Sequence, residues 1–192
     1  MSKYDDLVVW SVVQAETLLS PLGNRWLHVQ GVAERARWIG QTFDEDERAY
    51  LLAAAYMHDI GYAPALKRTG FHPVDGAYYL RSCGYERLAC LVAHHFAARF
   101  EAELRGCGAA LKEFPREHSA AADALTYCDS TTGPVGQHVT LKERAAEIRH
   151  RYKDSDLVVQ ALKLAMPHVS LTVARTQQRL IKYGLVTSQP RG

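Results

Sequence analysis

The ten residues Ala53-Ala54-Ala55-Tyr56-Met57-His58-Asp59-Ile60-Gly61-Tyr62 constrain the fold more than any other stretch of this chain. Leu51, Leu52, Ala55 and Tyr56 recur at helical spacing, and continuing that stripe by three and four residues reaches His58 and Asp59. The spacing predicts a helix that carries an imidazole and a carboxylate toward the inside of the fold. A buried carboxylate without a partner is costly or neutralises, and a divalent cation is a partner that removes the cost. Gly61 is expected to stop the helix and Pro64 to keep it from resuming. A histidine at a helix end also complements the dipole, so the assignment depends on what the remaining chain places beside the pair.

The remaining chain is helical in pattern. Leu7, Val8, Val12, Ala15, Leu18 and Leu19 predict a first helix over 5–19, ended by Ser20-Pro21-Leu22-Gly23. Asn24 is expected to cap a second, in which His28, Val32, Ala36 and Ile39 share one face and bring His28 inward. Alone, such a histidine is more often a hydrogen-bonded core residue than a ligand. The acidic run 44–47 suits the start of the third helix. His72-Pro73 reads as another helix start, where His72 would cap or ligate with equal ease. From Tyr85, the residues Leu88, Leu91, Val92 and His95 form a buried stripe with His94 at its border. Two adjacent histidines on an apolar helix have few joint structural uses, which favours ligation.

Residues 96–114 predict two short helices around Gly106-Cys107-Gly108, a cover over the site. A helix from Arg116 would align His118, Ala122, Leu125 and Asp129, a second inward carboxylate. His118 would then lie about 16 Å from Asp129, too far to share a metal with it. Thr140 and Glu143 form a capping box for a helix ending near Tyr152. A helix over 155–165 is expected to break at Pro167, before a last helix to Tyr183. With no alternating strand pattern longer than a few residues, the fold class is all-α, a single globular helical bundle over 1–192 with additional C-terminal helices at about 138–186.

Composition narrows the function classes. A hydrophobic share of 47% in 192 residues suffices for a sizeable core. The net charge of +2 points to neither a nucleic-acid nor a membrane partner. After Asp156 the chain has no acidic residue, but Lys163, Arg175, Arg179, Lys182 and Arg191 there read better as a solvated helical face than as a nucleic-acid surface. Cys83, Cys90, Cys107 and Cys128 form no Cys-x-x-Cys pair and read as reduced thiols. No signal-like segment and no apolar run of membrane-spanning length is evident, so a soluble, cytoplasmic protein is expected.

In chain order the inward or helix-end polar residues are His28, His58-Asp59, His72, His94-His95 and Asp129. The order His, His-Asp, Asp, with Met57-His58-Asp59-Ile60-Gly61 at its centre, resembles the HD-domain superfamily of metal-dependent phosphohydrolases in its His-Asp-Ile-Gly form. The resemblance covers about 24–130. It implies that His28, His58, Asp59 and Asp129 hold one metal, that Asp59 bridges to a second held by His72, His94 and His95, and that His58 and Asp59 are central to catalysis. Two divalent transition metals per chain (Fe, Mn, Zn or Ni) suit these donors and would serve hydrolysis of a phosphate ester or anhydride in a nucleotide or related small molecule.

This chain departs from the family pattern in places. Tyr62 stands where many members carry a lysine, leaving Lys67, Arg68 or Arg99 as candidate contacts to substrate phosphate. Phe96 follows the paired histidines in place of a glutamate, and no Gly-Tyr-Pro follows, which argues against cyclic dinucleotides as substrates. The same ligand set serves a minority of HD-domain proteins resembling myo-inositol oxygenase as a mixed-valent diiron centre. A non-catalytic metal-binding regulatory module is the third alternative. Oligomeric state does not follow from the sequence.

Overall fold

Helical periodicity is realised along the chain in a computed structural model that describes residues 3–185. Among the described residues there are ten α-helices and no strand: α1 (Lys3–Leu19), α2 (Asn24–Ile39), α3 (Glu45–Met57), α4 (His72–Ser82), α5 (Glu86–Ala93), α6 (Arg99–Leu104), α7 (Gly108–Lys112), α8 (Ala120–Ser130), α9 (Leu141–Arg151) and α10 (Leu157–Lys182). The all-α expectation holds. α3 is the central helix and packs against α1, α2, α5 and α8. Its Ala53, Ala54 and Ala55 are fully buried, because consecutive small side chains let neighbours approach from several directions. α4 pairs with α5, while α10 lies along α8 and α6. Ile39, Leu51, Met57, Leu80, Leu88, Leu125 and Leu180 fill the space between them, each worth about 1.5–3 kcal/mol of burial.

Two glycines bring backbone to backbone where the polar residues gather. A Cβ on Gly61 would lie 2.0 Å from the His72 carbonyl oxygen, and one on Gly31 would lie 2.3 Å from that of Gly136. Only hydrogen fits at either place. The first contact seats the start of α4 on the 3-10 turn Ile60–Tyr62; the second seats the loop after α8 on α2.

Several helix ends differ from the sequence expectation. α3 stops at Met57 rather than at Gly61, with His58 as its C-cap and Asp59 at φ −103°, ψ 6°. Gly23, at φ 56°, precedes α2 in place of an Asn24 cap, and no side chain caps that end. α8 starts at Ala120, where the Ser119 hydroxyl accepts from the Ala122 N–H, so His118 precedes the helix instead of sharing it with Asp129. The Thr140–Glu143 capping box is present. α10 runs unbroken through Pro167, which is exposed. A proline there removes one N–H and disturbs one turn, which water can satisfy on the outer face, while Val159, Leu162, Ala165, Val169 and Val173 stay buried on the inner one. No apolar run of membrane-spanning length is expected from the sequence. The continuous α10 is long and apolar enough by length and composition to cross a membrane, but its inner face is packed against α6, α8 and α9.

Candidate metal centre

The ends of α3 and α8, the second turn of α2, the start of α4 and the turn after α5 converge on one buried cluster. His28, His58 and Asp129 form one group whose candidate ligand atoms all lie within 4.8 Å of one another; Asp59, His72 and His95 form a second. Asp59 connects them. Its Oδ2 lies 3.4 Å from His58 Nε2 and 4.0 Å from His28 Nε2, while its Oδ1 lies 3.3 Å from His72 Nε2 and 3.9 Å from His95 Nε2. The two oxygens of one carboxylate thus face two sets of imidazoles. The helix ends just here: Asp59, at φ −103°, ψ 6°, has left the helical conformation, and its carboxylate stands between the two sets.

The histidines are oriented from behind. The Nδ1 of His58 lies 2.8 Å from the Ala55 carbonyl oxygen, that of His95 2.6 Å from Val92 O, and that of His28 3.0 Å from Gly133 O. A carbonyl only accepts, so each Nδ1 donates its N–H outward and each Nε2 is the ring atom turned to the cluster, where a metal would take the place of any proton it carries. His28 Nε2 lies 3.1 Å from Asp129 Oδ1 and His72 Nε2 3.3 Å from His95 Nε2. His58 Nε2 is buried and makes no hydrogen bond among the described residues. An imidazole nitrogen left bare among carboxylates and further imidazoles fits a metal ligand, and the donor set suits a divalent transition metal.

The electrostatics agree. Burial would raise Asp59, but Arg25 and His58 hold it well below the ordinary carboxylate range. Asp129 is likewise held low against its burial, by its hydrogen bond to His28 and by His58. Burial would lower His58, but the Asp59 carboxylate beside it raises it to about 9. His95 is pushed down to about 4 by burial and by His58 and His72. The carboxylates therefore stabilise positive charge at the centre of the cluster while His95 remains neutral.

His94 stands outside both groups. Its Nε2 donates to the Phe114 carbonyl oxygen at 2.8 Å, and its backbone (φ −110°, ψ 10°) has left the helix. Adjacent residues near a helix end point in different directions, and only His95 turns inward. The three cations expected at the substrate phosphate also lie elsewhere. Lys67 is exposed, Arg68 stacks 4.1 Å over the Tyr78 ring, and Arg99 lines a different cleft. At the mouth of the metal cluster stand three arginines that the sequence reading did not select. Arg25 donates to Asp59 Oδ2 at 2.5 Å and lies 4.0 Å over the Tyr62 ring. Arg144 and Arg151 face the same cavity from α9, both paired with Glu147, and Arg144 Nε is buried without a partner. The cavity, about 100 Å³, is closed by Phe96, Tyr152, Ile148 and the α10 residues Val158, Leu162 and Ala165. Arg25 lies one helical turn before His28, so the i, i+3 relation was the signal for it; nothing local marks Arg144.

Comparison with known proteins gives one family. The sequence model of the HD domain matches residues 25–165, which extends past the His–Asp core through α9 to the part of α10 that closes the cavity. No curated protein and no solved structure matches the chain.

Proposed function

From the premise that this chain belongs to the HD-domain family, we propose that it is a phosphohydrolase with a dinuclear metal centre, acting on a phosphate ester or anhydride of a nucleotide or related small molecule. The observation that carries the reading is the division of the Asp59 oxygens between the His28–His58 side and the His72–His95 side. His28, His58, Asp59 and Asp129 would hold one divalent ion, and Asp59, His72 and His95 the other. Ions bound there supply a water acidic enough to attack at neutral pH and neutralise charge on the phosphoryl group.

The protein's own residues do the rest. Ala55, Val92 and Gly133 fix the imidazoles through their carbonyls, so the ligand atoms are positioned before substrate arrives. Arg25 and Arg144 lie where a phosphoryl oxygen would enter, with Arg144 Nε free to donate. Phe96, Ile148 and Leu162 exclude water from that end and accept an apolar part of the substrate. Together they favour a small substrate whose phosphate, rather than a polymer backbone, reaches the centre.

The test is a screen of nucleotides and small phosphate esters for phosphate release by protein loaded separately with Fe, Mn, Zn or Ni. Release by at least one metal form, lost in Asp59→Ala, is the expected result. Inactivity with every metal sinks the proposal, and substrate-dependent oxygen uptake by the iron form would move the chain to the oxygenase branch.

A further inference from the structure

A second cleft, of about 610 Å³, lies behind His95 between α5, α8 and α10. It is larger than the metal cavity, and its lining is strongly basic: Arg99, Arg116, Arg175 and Arg179, with His94, His118 and His168. Its two carboxylates are both engaged. Glu117 accepts from Arg87, which lies outside the lining, at 2.9 and 3.0 Å, and Asp123 accepts from Arg175 at 2.7 and 2.8 Å. Arg179 is held by neutral partners, the Thr42 hydroxyl and carbonyl oxygens. Among the described residues no carboxylate pairs with Arg99 or Arg116, and Arg116 Nη2 donates to the unprotonated His168 Nε2 at 2.9 Å.

Like charges converging in a concave site without counter-charge are unfavourable unless a ligand supplies it. The charges also act on their neighbours. Arg116 is lowered from the usual guanidinium range by burial and by Arg99, and His168 is lowered by burial and then by Arg116, Arg99 and Arg175. Thr126, Thr172 and Ser119 add hydroxyls to the same walls, so polar partners surround the charge. A flat basic surface would suit a nucleic-acid backbone, but a concave basic cleft suits a small molecule.

We infer that this cleft is a binding site for a small polyanion carrying adjacent phosphates, held by Arg99 and Arg116 and separate from the metal centre. The two sites share His95 on their common wall, with the metal cavity on one side and this cleft on the other. The inference does not depend on the hydrolase reading, because none of its anion-holding groups belongs to the metal cluster.

Calorimetric titration of the full chain with imidodiphosphate, which resists hydrolysis, tests it at low ionic strength. The unaltered protein and the double variant Arg25→Ala with Arg144→Ala are expected to bind the probe in the cleft. The double variant Arg99→Ala with Arg116→Ala is expected to weaken that event at least tenfold. Arg99→Glu alone, an exposed change that leaves the packing intact, is expected to weaken it also. The inference is overturned if the unaltered protein does not bind, if the cleft variants bind as it does, or if binding disappears only in the Arg25 and Arg144 variant. It is equally overturned if a single-stranded oligonucleotide binds through Arg99 and Arg116 while imidodiphosphate does not.

Discussion

Arg25 Nη1 donates to Asp59 Oδ2 at 2.5 Å, so the carboxylate that joins the two histidine groups is also held from the mouth of the cavity. The guanidinium rests on the Tyr62 ring. If it contacts substrate phosphate, Arg25→Ala should lower kcat/KM on the order of 100-fold, as expected for loss of a donor to developing charge. Metal content should stay the same. Arg25→Lys should restore part of the activity, because an ammonium replaces the charge but not the planar fork. Steady-state kinetics beside metal analysis checks this, and loss of metal in Arg25→Ala would show a structural role instead.

The two histidine groups should separate in metal content. Asp59→Ala removes the oxygens facing both and should leave almost no bound metal. His72→Ala, which alters one side only, should retain about one ion per chain with sharply reduced hydrolysis. His94→Ala should leave metal content unchanged and lose only its bond to Phe114 O, about 0.5–1.5 kcal/mol in thermal unfolding. Equal metal content in all three variants would refute the division.

Gly61→Ala tests how the cluster is seated. A Cβ 2.0 Å from His72 O cannot be absorbed without moving α4, at a cost of about 1–3 kcal/mol. Since His72 begins α4, the same shift should weaken the second metal more than the first. Denaturant unfolding and metal titration read the two effects separately; an unchanged metal titration would mean that α4 moves as a whole with the cluster.

Much of this architecture is written in local spacing. The stripe through Leu51, Ala55 and His58, the His28 face of α2 and the Leu125–Asp129 face of α8 each place one ligand by helical period alone. The periodicity does not tell where a helix ends. On an ideal helix His95 falls on the buried stripe and His94 at its border, close enough to read as a joint pair of ligands, and the stop at Ala93 sends His94 away to Phe114. Arg144 and Arg151 are further beyond reach of the sequence, since only the folding of α9 over the cavity brings them to it. Pro167 misled for a related reason: its local effect is to remove one hydrogen bond, and the packing of α10 on α8 outweighs that loss.

Pro167→Ala should therefore stabilise the protein. Alanine restores an N–H for the Lys163 carbonyl and removes the ring clash, a gain of up to about 3 kcal/mol, and the exposed position leaves the core untouched. Thermal or denaturant unfolding measures the gain. An unchanged or lowered midpoint would mean that the proline ring itself is favourable to the packing of α10.

Pro167 falls at a particular place in α10. Before Pro167, α10 gives Val158, Ala161, Leu162 and Ala165 to the metal cavity; after it, the same helix gives His168, Thr172, Arg175 and Arg179 to the basic cleft. One continuous helix thus supplies the far wall of both chambers, and a tightening of either that shifts α10 is transmitted to its neighbour as a change of shape.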